Sequence, residues 1–263
     1  NFYQAKPKNI IAVTGTNGKS SVAEFFYQIL HNNKMPVASI GTLGIISKNY
    51  KKKIALTSPD PLLLHQNLQI LAKNKVNNVI LEASSHGLKQ KRLNYLNIKC
   101  GIFTNLSHDH LDYHKSMKSY FESKMYLFRN LLKSNSKIIT DEKNKEFQII
   151  KKIPKIKKIT IGLNSGDIRI LENNYEENHQ IVKLLVNKKI LIIKVPLIGF
   201  FQIKNFLMAV LAASSIGLDK IKILNQAQKI KSVEGRLECV ESLKNKSKII
   251  IDFAHTPDAL NKS

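Results

Sequence analysis

AVTGTNGKSS, residues Ala12–Ser21, couples an unbroken apolar run, IIAVT (Ile10–Thr14), to a segment of helical spacing, Ser20–Leu30. An apolar run closed by a glycine turn predicts a buried strand, and its passage straight into a helix predicts a mostly parallel sheet covered by helices. Gly15 and Gly18 let the backbone bend tightly around Thr16 and Asn17, so that several amide N–H groups can face one anion. The following helix adds its positive end. Lys19 supplies a point charge suited to β- and γ-phosphates, and the hydroxyl of Ser20, followed by Ser21, suits Mg²⁺. The general phosphate-loop pattern has its first glycine five positions before Gly18, where this chain has Val13. A chance glycine-rich turn is the competing reading. The strand before the loop and the helix after it are what phosphate binding requires.

Working outward, Val37–Ile40, Val79–Glu82, Gly101–Thr104 and Lys137–Thr140 read as further short buried strands. Pro61–Lys73 reads as a helix with Asp60 as its cap and proline at its first position, and Ser116–Phe128 as another. From Lys157 to Pro196, runs such as KITIG, IVKLLV and KILIIKV between Asn/Lys turns predict an antiparallel meander and not another βαβ unit. Helix returns at Phe201–Ile216 and Asp219–Lys229. Strands at Arg236–Glu241 and Ile249–Phe253 begin a new unit.

Composition narrows the classes. In 263 residues, 43% apolar and 23% charged describe a folded globular chain. The longest nearly unbroken apolar stretch, Phe206–Leu218, is shorter than the roughly 18–20 residues a membrane span needs. Two cysteines, Cys100 and Cys239, cannot make a disulfide framework or a four-thiolate zinc site. A cytoplasmic protein without a membrane partner is expected. The net charge of +23 invites polyanions, but only Arg92, Arg129, Arg169 and Arg236 among the 42 basic residues are arginine. Lysine scattered among Asn and Ile fits compositional drift better than a nucleic-acid surface, which favours the arginine fork.

Several other side chains can carry chemistry. Glu82 ends a strand, where a carboxylate can reach a loop-bound cation or simply face solvent. His108, Asp109, His110 and His114 crowd one segment, as metal ligands or as polar caps. Ser84 and Ser85 can cap a helix or touch a ligand.

GTNGKSS is similar to the short nucleotide loop of the Mur ligases, the ATP-dependent amide-forming enzymes of peptidoglycan precursor synthesis. LEASSHGLKQKRL (Leu81–Leu93) and the segment Phe103–Phe128 resemble the branch of that family that attaches the third peptide residue. Gly199–Ala213, Glu234–Val240 and Ile249–Leu260 extend the match in the same order. The resemblance implies a central ATP-binding domain over residues 1–234 and the first strands of a truncated Rossmann-like C-terminal domain over 235–263. It also implies that the UDP-binding N-terminal domain is absent, so the isolated chain is expected to bind nucleotide without ligating.

The family's roles fall on named positions. Lys19, Glu82, His110 and Lys124 are implied as catalytic, and Ser20, Glu82, His110 and Lys124, the last as a CO₂-derived carbamate, as ligands of two Mg²⁺ ions. Residues Gly15 to Ser21 with Asn205, Arg236, Asp252 and His255 are implied to hold ATP. Thr57, Ser58, Ser84, Gln90 and Arg92 are implied to hold UDP-MurNAc-L-Ala-D-Glu, Arg92 by its two-pronged grip on a carboxylate or phosphate. Without the family, Lys124 is one surface lysine among many, Asn205 a polar helix residue and Asp252 a strand cap. His108 departs from the arginine usual in the family and receives no role. The implied reaction adds meso-diaminopimelate or L-lysine through an acyl phosphate, by a monomer. A folylpolyglutamate synthase, or a non-catalytic basic phosphate-loop protein, are the competing readings.

Overall fold

The computed structural model describes residues 5–176, 179–242, 248–254, 256 and 260. The chain opens with β1 (Asn9–Thr14), the phosphate-type loop, and α1 (Lys19–Asn32). β2 (Val37–Gly41) then turns back through a hairpin, β3 (Gly44–Ser47) and β4 (Tyr50–Lys52). The sequence reading had no strands over this hairpin. α2 (Pro61–Lys73) starts where the Asp60–Pro61 signal places it, Asp60 Oδ1 accepting from Leu63 N at 3.0 Å. Next come β5 (Asn78–Glu82), a short α3 (Ser85–Lys89), β6 (Ile98–Phe103), α4 (Leu111–His114) and α5 (Met117–Tyr126), which winds into a π turn at Leu127–Leu131.

β7 (Leu132–Asp141), α6 (Phe147–Lys151) and β8 (Lys157–Gly162) complete another parallel unit. This corrects the expected meander. Lys157–Gly162 pairs in parallel with both β7 and β9 (Ile168–Glu176), and within the stretch 157–196 the antiparallel part is β9, β10 (His179–Val186) and β11 (Lys189–Val195). Five helical residues are too few to show a 3.6-residue period, so the crossover helix was invisible. α7 (Phe200–Ser215) follows. The expected helix 219–229 is broken into α8 (Lys220–Leu224), capped by Asp219, and a 3₁₀ turn at Ala227–Lys229. β12 (Glu238–Ser242) and β13 (Lys248–Ile251) pair antiparallel as a separate two-stranded sheet.

One sheet of 11 strands runs in the order β11-β10-β9-β8-β7-β6-β1-β5-β2-β3-β4, its centre parallel and both flanks antiparallel. Side chains alternate across it. Ile11, Val13, Ile80 and Ile102 meet α1 and α7 on one face, while Ile10, Ala12, Val79 and Leu81 meet α2 and α5 on the other. Each such fully buried aliphatic or aromatic side chain contributes roughly 1.5–3 kcal/mol. The edge-to-face pair of Phe25 and Phe206, 6.2 Å apart, fastens α7 to α1 and so holds the start of α7 beside the glycine loop. In register, Val13 lies beside Glu82, Thr14 beside Phe103, and Phe103 beside Thr140. The carboxyl ends of β1, β5, β6 and β7 therefore open on one edge, the place where open α/β sheets bind ligands.

Candidate active site

Between that edge and the start of α7 lies a cavity of about 610 Å³. Its floor is the glycine loop. Gly18 has φ 85°, and a Cβ there would stand 2.6 Å from Asn205 Oδ1; at Gly15 one would stand 1.8 Å from Thr104 Oγ1. Only glycine lets both backbones come that close. The loop is pinned from β6: Thr16 N donates to Asn105 O at 3.0 Å, Asn17 N to Asn105 Oδ1 at 2.9 Å, and Thr104 Oγ1 to Asn17 O at 2.6 Å.

Two lysines reach the same carbonyl. Gly15 O accepts from Lys19 Nζ at 3.0 Å and from Lys124 Nζ at 2.8 Å, and Lys19 also donates to Thr16 O at 2.7 Å. Lys124 is only 1% exposed and stands 4.2 Å over the ring of Tyr120. Burial first, then the neighbouring Lys19, holds its pKa well below the usual lysine value, with Asp109 opposing. Lys19 is lowered too, chiefly by burial, while Glu82 and Asp109 pull it back up. Burial pushes the Tyr120 phenol up to about 12, and its hydroxyl meets Thr16 Oγ1 at 3.1 Å.

Glu82 is 2% exposed and receives Ser20 Oγ at 3.0 Å, Thr42 N at 2.8 Å and Thr42 Oγ1 at 3.2 Å. Among the described residues it forms no ion pair. A buried carboxylate held only by neutral donors, with a hydroxyl beside it, fits a hard cation such as Mg²⁺. No group of three His, Cys, Asp or Glu side chains gathers as a metal cage among the described residues. The fit is to one oxygen pair instead, Ser20 with Glu82, which suits an ion that keeps several waters. His110 and Lys124 both line the cavity, Lys124 as an amine donating to Gly15 O. His110 is exposed, has φ 52°, and lies 3.4 Å from Asp109 Oδ2.

Thr16 to Ser21, Thr57, Glu82, Ser84, His110, Lys124, Asn205, Arg236 and Asp252 line the cavity. Gly15 supplies its backbone beneath it. Ser58, Gln90 and Arg92 stand behind the lining as a hydrogen-bonded arm. Ser58 Oγ donates to Glu82 O at 2.8 Å, Arg92 Nη1 to Ser58 O at 2.7 Å, and Arg92 Nε to Gln90 Oε1 at 2.9 Å. Ser84 caps α3, accepting from Gly87 N at 3.1 Å, and its hydroxyl also meets Ser58 Oγ at 3.0 Å on the cavity wall. Arg236 lies 4.7 Å over the ring of Phe253, its pKa lowered by burial against the pull of Glu82 and Asp252. His255 lies outside the described residues.

Sequence reasoning missed Thr42, Asn105 and Tyr120, and the Lys204–Asp141 ion pair at 2.6 Å on the cavity wall. Asn105 carried a signal, a polar residue directly after an apolar strand. The Lys204–Asp141 pair, 63 residues apart, carried none.

Comparisons with known proteins agree with this geometry. Residues 13–213 match the family described as the Mur ligase middle domain. The chain is 39% identical over its whole length to a UDP-N-acetylmuramoyl-L-alanyl-D-glutamate–2,6-diaminopimelate ligase of Rickettsia bellii (strain RML369-C), covering 56% of that protein. A solved structure of a ligase of the same name is 31% identical with a TM-score of 0.84, over 97% of this chain and 53% of that one. The apo form of L. casei FPGS, a folylpolyglutamate synthase, superposes with a TM-score of 0.78 at 15% identity over 98% of this chain and 70% of its own, a likeness of fold alone. The chain spans about half the length of the diaminopimelate ligases it matches. By the family match over residues 13–213, and by its identity to these relatives, the chain belongs to the Mur ligase family.

Proposed function

We propose that this chain is the ATP-binding part of a ligase that adds the third amino acid, meso-diaminopimelate, to UDP-MurNAc-L-Ala-D-Glu. The observation that carries the reading is the joint position of Lys19, Ser20, Glu82 and Lys124 around one glycine loop, in a chain whose relatives bear that ligase's name. Diaminopimelate is preferred to L-lysine on those names. Residues 1–234 form the central domain and 235–263 open the next one. The protein acts as a cytoplasmic monomer without nucleic acid; among the described residues no helix is long and apolar enough to cross a membrane.

In the reaction, the free carboxylate of the dipeptide attacks the γ-phosphorus of ATP and ADP leaves, giving an acyl phosphate. The amine of the incoming residue then attacks the acyl carbon and phosphate departs. Two anions must meet in the first step, so positive charge placed in advance is the main catalytic device. Lys19, now resting on the carbonyls of Gly15 and Thr16, is within a side-chain rotation of the triphosphate those amides would cradle. Arg92, steadied by Gln90 and Ser58, holds the acceptor's acidic end. Thr57 and Ser84 line its path. Asn205, Arg236, Asp252 and His255 complete the nucleotide site. Ser20 and Glu82 would hold one Mg²⁺, and His110 with Lys124 as its carbamate a second, and the ions would supply charge neutralisation for the phosphates.

Lys124 suits its part only after modification, since an ammonium repels a metal. Its lowered pKa favours the neutral amine, and from that form the nitrogen can bond to the carbon of CO₂ and release a proton to form a carbamate. The full-length gene product, given ATP, UDP-MurNAc-L-Ala-D-Glu and diaminopimelate, forms the tripeptide and ADP in equal amounts. Glutamate ligation to tetrahydrofolate in its place would move the chain to the folylpolyglutamate branch, and salt-sensitive RNA binding without ADP release would make it a basic phosphate-loop protein.

A further inference from the structure

Four aromatic and imidazole rings stand between the acceptor arm and the His110–Lys124 side of the cavity, and the proposed reaction uses none of them. His86, in the first turn of α3, stacks on Tyr113 of α4 at 4.1 Å between centroids with the planes 33° apart. Its edge meets His110 at 5.0 Å and His114 at 5.5 Å. His114 in turn packs on Tyr120 at 5.1 Å, the ring that lies under Lys124. The cluster is tied to the arm by a direct hydrogen bond, Gln90 Nε2 donating to Tyr113 Oη at 3.1 Å, and by the Lys89 ammonium 4.6 Å over the Tyr113 ring.

His114 reveals what the cluster is for. It is 1% exposed, and neither ring nitrogen has a hydrogen-bond partner. Leaving such buried groups unpaired is costly, so the position is held for its flat ring and not for its polarity. Burial first, then the neighbouring His86 and Lys89, lowers its pKa to about 4. A neutral plate wedged between His86 and Tyr120 fixes the spacing of the two elements that carry Gln90 and His110.

We propose that Tyr113 and His86 are positioning residues that couple the acceptor arm, Gln90 and Arg92, to His110, so that seating the acceptor's carboxylate fixes the second metal-holding side chain. This rests on the ligase reading above. Arg92 holds Gln90, Gln90 holds the Tyr113 hydroxyl, Tyr113 holds the His86 ring, and His86 holds the edge of His110. An acceptor gripped by Arg92 restrains every later link. Coupling of this kind is reciprocal: metal at His110 must tighten acceptor binding by the factor that acceptor tightens metal.

Tyr113→Phe and His86→Phe, which keep the rings, test this in the full-length gene product. Tyr113→Phe raises the KM for UDP-MurNAc-L-Ala-D-Glu about three- to tenfold, the range one hydrogen bond spans, while the KM for ATP holds. Combined with Gln90→Ala it adds almost nothing, since the two changes break one link. Mn²⁺ binding, followed by electron paramagnetic resonance, tightens on adding the acceptor in the unaltered protein and ceases to respond to it in His86→Phe. An acceptor KM unchanged in Tyr113→Phe, a loss shared equally by both KM values, or an intact Mn²⁺ response in His86→Phe would overturn the proposal. Absence of ligation and of nucleotide binding in the unaltered protein would instead remove the ligase reading beneath it.

Discussion

Gly15 O accepts from two lysines inside a largely buried site, and two ammonium groups cannot comfortably share one carbonyl there. Burial and the neighbouring Lys19 hold the Lys124 amine well below the usual lysine value, and Lys124 is the more deeply enclosed of the two. The consequence for stability has a definite sign. Unfolded, Lys124 holds its proton up to the ordinary 10.5; folded, it loses it well below that. Over that window the unfolded chain binds more protons, so stability rises as pH climbs toward 10.5 and is lowest below the folded pKa. In bicarbonate-free buffer, Lys124→Met is therefore more stable than the unaltered protein at about pH 7, and the gap narrows by about pH 9.5, as urea denaturation at the two pH values will measure. An unchanged gap would mean that Lys124 keeps its proton on folding. Apart from the family resemblance, nothing in the sequence distinguished this residue among 38 lysines, since its burial depends on α5 folding back under the loop.

The strand, loop and helix of residues 9–32 form the element on which the site depends, and Gly18 is its narrowest point. Alanine there must adopt a left-handed conformation, at roughly 1–2 kcal/mol, and its Cβ would meet the Asn205 side chain 2.6 Å away. Gly18→Ala lowers stability by at least that amount and weakens nucleotide binding more than tenfold on the order-of-magnitude scale of about 1.4 kcal/mol per decade. Calorimetric titration with ADP checks the second effect; unchanged affinity would show that the loop does not cradle phosphate. This element was legible because its signals are local: an apolar run, two glycines, then a helical period. So was α2, where Asp60 and Pro61 mark the start. The β7–α6–β8 unit was not, since a five-residue crossover has no period and parallel pairing is decided by distant strands. The hairpin β3–β4 was hidden for a similar reason, a four- and a three-residue strand joined without a strong turn signature.

At the scale of the whole molecule, the parallel centre of the sheet carries the chemistry and the antiparallel flanks extend the scaffold. Glu82, Thr104 and Asp141 reach the cavity because β5, β6 and β7 end in register beside β1. The positions implied by family resemblance run from Gly15 to His255, 240 residues apart, and no spacing rule links them. Order along the chain made the family legible, while the buried amine, the paired lysines and the ring cluster needed coordinates. The net charge of +23 does not define the site, whose critical contacts are a few buried groups around one loop.

The central claim is that this cavity brings a carboxylate to the γ-phosphate of ATP. UDP-MurNAc-L-Ala-D-Glu labelled with ¹⁸O in the reacting carboxyl group tests it directly in the full-length gene product supplied with ATP, Mg²⁺ and diaminopimelate. Each turnover places one ¹⁸O in the released inorganic phosphate, and Lys19→Ala yields no labelled phosphate. Phosphate released at the normal rate but free of label, or labelled phosphate undiminished in Lys19→Ala, would contradict the account.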